Sequence, residues 1–165
     1  DANFIAISET LHNYATFVKS TIEEKGLSPK EMLPQIDAVT KAPIDEYTGK
    51  RLNEIFQTDI SQKMIYNINV ISSNMEVLNS KYNDLNEDLL KEALLKDLET
   101  REIASEARSC SWKYYVCVTA CASGGLLCVT GCTGSTLGLG APACAVLCSS
   151  IGLYGLVICY DDYCS

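Results

Sequence analysis

Apolar residues recur at intervals of three and four near the start of the chain, which is the spacing of one face of a helix. The members of this first stripe are Phe4, Ile7, Leu11, Tyr14, Val18 and Ile22. Gly26 follows the stripe, and glycine is favoured just past the end of a helix. The pattern therefore predicts a packing helix that ends at Gly26.

Two shorter helices are indicated between this stripe and residue 56. Residues 28–31 read Ser-Pro-Lys-Glu, a capping box with proline at the first helical position, and we expect Pro34 to kink or end that segment. Ala42-Pro43 breaks the chain again, and Thr48 is a plausible start for the next helix. Its apolar positions are Leu52, Ile55 and Phe56.

The most regular pattern is a heptad-like seam in the middle of the chain. Its positions alternate by four and three and are Met64, Ile68, Ile71, Met75, Leu78, Tyr82, Leu85 and Leu89. Such a seam suits an oligomeric coiled coil or the inner face of a single-chain bundle, and we favour the bundle. After Asn86 the apolar face broadens, so we expect it to need a wider partner, the C-terminal region.

Composition divides the chain into two modules that meet near Ser109. Residues 1–109 contain no cysteine, whereas residues 110–165 contain all nine, with Lys113, Asp161 and Asp162 as their only charged residues. The net charge of -8 argues against a nucleic-acid partner. We predict two domains, an acidic helical module over residues 1–109 and a disulfide-rich module with little charge over residues 110–165.

The cysteine density is that of a disulfide scaffold, which implies an oxidising compartment and therefore a secreted, extracellular protein. The start of the chain lacks a signal-peptide pattern, so we expect Asp1 to be a terminus exposed by cleavage. No CxxC motif occurs in the sequence, and the recurrent unit is CxxxC. Zinc-ribbon and thioredoxin interpretations therefore fail, and we expect neither a metal nor a cofactor.

The cysteine spacing can be interpreted as two helical stripes. Steps of seven, four, seven and four separate the cysteines from Cys110 to Cys132, and Cys144 to Cys159 form a second stripe. If the two stripes lie on antiparallel helices, the two residue numbers of each facing pair have a nearly constant sum. The predicted disulfides are Cys110–Cys164, Cys117–Cys159, Cys128–Cys148 and Cys132–Cys144. The fold prediction is thus all-α, a helical bundle or coiled-coil-like module followed by a disulfide-stapled apolar helical hairpin.

This ladder of four predicted disulfides does not include Cys121, which would lie opposite Gly155 as a free thiol or form an intermolecular disulfide. A competing layout breaks the first arm at Gly124-Gly125 and shuffles the pairs. The run from Tyr114 to Tyr160 contains no charged residue and also invites a membrane interpretation, since each arm of about 20 residues matches the thickness of a bilayer core. For the intact chain we favour a disulfide-held core shielded by the first module, and for the tail alone we favour membrane contact.

The tail resembles the cysteine-rich, largely uncharged peptide bacteriocins of the halocin type. The residues that carry the resemblance are Lys113-Tyr114, Cys117, Cys121, Ser123-Gly124-Gly125, Cys128, Pro142, Cys148, Val157-Ile158-Cys159 and Asp161-Asp162-Tyr163-Cys164. The likeness covers residues 110–165 and does not extend to residues 1–109. In that family the peptide is the C-terminal part of a secreted precursor whose N-terminal part binds it and confers immunity. The resemblance therefore implies an antimicrobial precursor in which residues 1–109 are the pro-region or immunity-like part.

Three classes of function follow from these observations. The first is a bacteriocin-like precursor that is processed near Arg108-Ser109, and the second is an extracellular filament assembled through the heptad seam and Cys121. An enzyme is the third and weakest class, and we predict that the protein is not one. His12 lies on a predicted helix as a partly exposed structural histidine, and the common nucleophile, phosphate-loop and zinc-protease motifs are missing from the sequence.

Overall fold

The computed structural model describes residues 1–100, 113–122 and 141–164, with only the backbone for 141–147 and 149–151. These residues form seven helices and no strand, which confirms the all-α prediction. The helices are α1 (Ala2–Lys25), α2 (Pro29–Lys41), α3 (Thr48–Phe56), α4 (Ile60–Lys81), α5 (Glu87–Thr100), α6 (residues 113–122 of the described chain) and α7 (Ala141–Cys164).

The two ends of α1 are set by short-range chemistry. The Asp1 carboxylate accepts a hydrogen bond from the backbone N–H of Asn3, which satisfies one of the free donors of the first turn. Gly26 adopts the left-handed conformation with φ of 60°, and its N–H returns to carbonyls of the last turn. The predicted helix over the first stripe, ending at Gly26, is therefore confirmed.

Helix α2 begins at Pro29 as predicted, but the side chain of Ser28 makes no capping hydrogen bond in the part of the chain that the structure describes. Pro34 does not end the helix, which continues to Lys41. Its buried positions Met32, Ile36 and Val39 pack in a core shared with α7. This burial on both sides of Pro34 outweighs the one backbone hydrogen bond that proline removes.

The heptad-like seam is interrupted in the structure. Its buried residues on α4 face the bundle interior, against α1, and are Met64, Ile71, Met75 and Leu78. Helix α4 then ends at Lys81, and Tyr82 and Leu89 are about half exposed, at 49% and 47%. The side chain of Asn86 accepts a hydrogen bond from the N–H of Leu89 and starts a separate helix, α5. Over α4, the seam serves packing within the chain.

Within the described ranges, two apolar clusters hold the helices together. The smaller one joins α1, α4 and α5 and contains Ile7, Ile71, Met75, Leu78, Leu90 and Leu94. The larger one joins helices from both sides of residue 109, including Ala15, Ile36 and Phe56 on one side and Tyr114, Leu153 and Val157 on the other. The C-terminal helices therefore share a core with the N-terminal ones. In the described ranges, no helix combines the length and the apolar character needed to cross a membrane.

Candidate functional site

The candidate site is a cluster of three sulfur atoms where α6 meets α7. Cys117 and Cys121 lie one turn apart on α6, so they project from the same face of that helix. Cys159 lies on α7 and is fully buried, whereas Cys117 is half-buried and Cys121 is exposed. The three Sγ atoms lie within 4.8 Å of one another.

Cys117 and Cys159 form a disulfide, which is one rung of the predicted ladder. Their Cα atoms are 5.7 Å apart, near the middle of the range of about 4.4–6.8 Å that a disulfide spans. This bond ties two helices that are separated by 42 positions in the sequence. The pairing predicted from cysteine spacing is confirmed for these two residues.

Cys121 is a free cysteine, and it faces Gly155 on α7 as the ladder predicts. A Cβ atom placed on Gly155 would lie 3.5 Å from Cys121 Cβ and 3.7 Å from its Sγ. The contacts Cys117 to Cys159 and Cys121 to Gly155 run in opposite chain directions, so α6 and α7 are antiparallel where they meet. Desolvation by the neighbouring helix raises the pKa of the Cys121 thiol.

The remaining rungs of the ladder fall partly on residues that the structure does not describe. Cys148 and Cys164 are disulfide-bonded. Their predicted partners Cys128 and Cys110 lie outside the described residues, as does Cys132, and the side chain of Cys144 does too. These three pairings stay predictions. The proposed processing point at Arg108 and Ser109, where the two modules would meet, also lies outside the described ranges.

The three sulfur atoms are as close together as the ligands of a metal site, but two of them are joined in a disulfide and are not free thiolates. Thiolates that share one zinc ion lie about 4 Å apart, close to the spacing observed here. Cys117 and Cys159 are joined to each other, which leaves Cys121 as the single thiol of the cluster. The arrangement therefore suits thiol and disulfide chemistry in this oxidised form.

A second feature of the site is a tyrosine pair that connects α6 to the N-terminal helices. The hydroxyl of Tyr114 donates a buried hydrogen bond of 2.9 Å to the carbonyl oxygen of Ala15. Its ring meets that of Tyr160 edge to face, with centroids 6.3 Å apart. Burial raises the pKa of Tyr114 far above its ordinary value.

Tyr115, the next residue, contacts the same helix at two other points. Its hydroxyl lies 2.6 Å from Thr16 Oγ1, and its ring stacks on His12 at a centroid distance of 4.6 Å. His12 is half-buried in this contact, which fits the structural role expected for it. Tyr114 and Tyr115 together tie the start of α6 to about one turn of α1, at His12, Ala15 and Thr16.

Sequence reasoning missed this role for the tyrosines. The pair is adjacent to Trp112 and Lys113, a combination typical of interfacial aromatic anchors as well as of helix ends. The available signal was that each ring carries one polar atom at the start of the uncharged run from 114 to 160, so a polar partner elsewhere in the chain was to be expected. Nothing local identifies that partner as α1.

Comparisons of this chain with protein-family models, with curated proteins and with solved structures find no match.

Proposed function

We propose that the protein is a secreted, bacteriocin-like antimicrobial precursor whose N-terminal helices shield an apolar, disulfide-stapled C-terminal peptide. The observation that carries this proposal is the burial of the C-terminal helices against the N-terminal ones. The disulfide between Cys117 and Cys159 and the cysteine-dense tail support an oxidising, extracellular setting.

The shielding rests mainly on α7. Leu153 and Val157 are fully buried and belong to one core with Met32 and Ile36 of α2. The sequence from 114 to 160 contains no charged residue, so removal of the N-terminal helices would expose a largely apolar surface to water. A lipid bilayer is the partner that would cover such a surface again.

The tyrosine contacts explain how the shield would be held in place. Tyr114 and Tyr115 direct their hydroxyl groups into α1, so the beginning of the C-terminal module is attached to the N-terminal helices. Cleavage of the backbone near Arg108 and Ser109 would leave these contacts intact. Release of the peptide therefore requires a second event, such as competition by a membrane surface for the apolar face.

The proposal is tested with the full chain carrying a specific protease site between Arg108 and Ser109. We expect the uncut protein to leave bacterial-lipid vesicles intact and the cut protein to release a trapped dye and to inhibit bacterial growth. A matched control carries a scrambled sequence that the protease does not cut at the same position, and it is treated with the same protease.

Three outcomes separate the proposal from its alternatives. Leakage after cutting at residue 108 but not in the control supports shielding, and excess N-terminal fragment should then suppress the leakage. Equal inactivity of cut and uncut protein on vesicles and on bacteria would contradict the antimicrobial proposal. Equal activity of cut and uncut protein would remove the shielding role.

An extracellular filament is the second candidate, and a surface feature of α4 favours it. Ile65 and Tyr66 are adjacent on the outer side of α4 and are 52% and 65% exposed. The free thiol of Cys121 is also exposed and available for a covalent link between copies. Electron microscopy and non-reducing electrophoresis of the purified protein test this candidate. A series of covalent oligomers on the gel that Cys121→Ser abolishes would favour the filament over the precursor.

A further inference from the structure

The sulfur cluster brings a free thiol within reach of a disulfide in the same chain. Cys121 Sγ lies 3.9 Å from Cys159 Sγ, a distance close to van der Waals contact for two sulfur atoms. Gly155 presents no side chain to Cys121, so the space beside this thiol stays open. Cys117 and Cys121 are thus two residues, one helical turn apart, that can share one partner on α7.

We propose that Cys121 exchanges with the Cys117–Cys159 disulfide, so that the free thiol moves between Cys121 and Cys117. Cys121 loses its proton to water, and the thiolate attacks Cys159 Sγ. A bond between Cys121 and Cys159 forms while the bond between Cys117 and Cys159 breaks. The electron pair of the broken bond stays on Cys117 Sγ, which takes a proton from water. No oxidant or reductant is consumed, because the number of disulfides is unchanged.

The resting geometry makes this exchange slow. Attack on a disulfide proceeds along the line of the two bonded sulfurs, which would place Cys121 Sγ about 6 Å from Cys117 Sγ. The three atoms instead lie within 4.8 Å of one another, so the Cys121 thiol lies beside the disulfide. The Cys121 side chain must rotate, or α6 must shift along α7, before the bond can exchange.

The exchange would change how accessible the free thiol is. Cys121 is exposed and Cys117 is half-buried, so the thiol becomes less available to other molecules when it moves to Cys117. One chain would then have two isomers, one able to form mixed disulfides readily and one protected. This inference holds whether or not the C-terminal module is antimicrobial.

The test follows the position of the thiol in the full-length oxidised protein. The protein is kept in acid, transferred to about pH 8 without added thiol for increasing times, and then pulsed with excess alkylating reagent. Peptide mapping without reduction locates the label. We expect at least about a tenth of the label to appear on Cys117, together with a peptide linking Cys121 to Cys159.

Two variants and a dilution series make the test decisive. Cys121→Ser should give no label on Cys117, while Cys117→Ser should form the bond between Cys121 and Cys159 on air oxidation. The exchange rate should not change with protein concentration, since the reaction lies within one chain. Label that stays on Cys121 at all times, or a rate that falls on dilution, would each overturn the proposal.

Discussion

The Tyr114 hydroxyl donates a hydrogen bond of 2.9 Å to the carbonyl oxygen of Ala15, in the interior of the molecule. Both residues are fully buried. This bond joins α6 to the middle of α1, across nearly a hundred positions of sequence. It places a polar connection inside the larger apolar cluster, where an unpaired hydroxyl would be costly.

Shortening Tyr114 should therefore cost more stability than shortening an exposed tyrosine. We expect Tyr114→Phe to lower the free energy of unfolding by about 1 kcal/mol through the lost hydrogen bond. Tyr114→Ala should lower it by about 3–5 kcal/mol because it also leaves a cavity. Urea unfolding followed by circular dichroism measures both values.

Tyr66 is the matched control for Tyr114, since it is 65% exposed on α4. We expect Tyr66→Ala to change the free energy of unfolding by less than about 0.5 kcal/mol. Equal losses at the two positions would mean that Tyr114 does not connect the two parts of the chain.

Alkaline pH should destabilise the fold through its buried tyrosines. Burial raises the pKa of Tyr14 and of Tyr114 in the folded state. Their stabilising contribution is complete below the ordinary tyrosine pKa of about 10 and is lost as the pH rises above it, because only the unfolded chain then loses the protons. Each tyrosine can contribute a slope of up to about 1.4 kcal/mol per pH unit.

Tyr14→Phe isolates this effect. The Tyr14 hydroxyl is buried and has no hydrogen-bond partner among the residues that the structure describes, so the variant should be at least as stable as the native chain at pH 7. Above about pH 10 the stability of the variant should fall less steeply. Urea unfolding of protein alkylated at Cys121 provides the measurement, and parallel pH profiles would contradict the prediction.

Gly155→Cys should create an additional staple between α6 and α7. The new Cβ would lie 3.5 Å from Cys121 Cβ, at the short end of the range found in disulfides. We expect the oxidised variant to have no thiol that reacts with a thiol-specific dye. The native protein should react through Cys121.

Gly152→Cys is the control for this staple, because a Cβ atom at Gly152 would meet no heavy atom of the described residues within 4 Å. We expect that variant to keep the reactive Cys121 and to add a second reactive thiol. A reactive Cys121 in Gly155→Cys would show that the antiparallel register of α6 and α7 differs from the one described here.

Leu89 and Leu90 offer a direct test of where the seam ends. Leu90 is buried at 1% exposure and Leu89 is 47% exposed. We expect Leu90→Ala to lower the free energy of unfolding by about 2–5 kcal/mol and Leu89→Ala to change it by less than about 0.5 kcal/mol. The reverse order, measured by urea unfolding, would restore an unbroken seam through Leu89.

Local chemistry determined a large part of this fold from the sequence. The Gly26 helix end, the start of α2 at Pro29 and the start of α3 at Thr48 all depend on residues within one turn of the boundary. The pairing of Cys117 with Cys159, and Cys121 opposite Gly155, also followed from spacing. A helix has a fixed repeat, so positions on two antiparallel helices can be matched by counting.

Tertiary structure alone decided which surfaces meet. The seam stopped at Lys81 because Asn86 caps a new helix, and α5 then buries Leu90 where the heptad pattern had placed Leu89. The Tyr114 hydroxyl donates its hydrogen bond to the carbonyl of Ala15, a small residue that no sequence pattern distinguishes from the other alanines. Periodicity records which face of a helix is apolar, but apolar contact is not directional. The partner of each face is selected only when all the helices pack together.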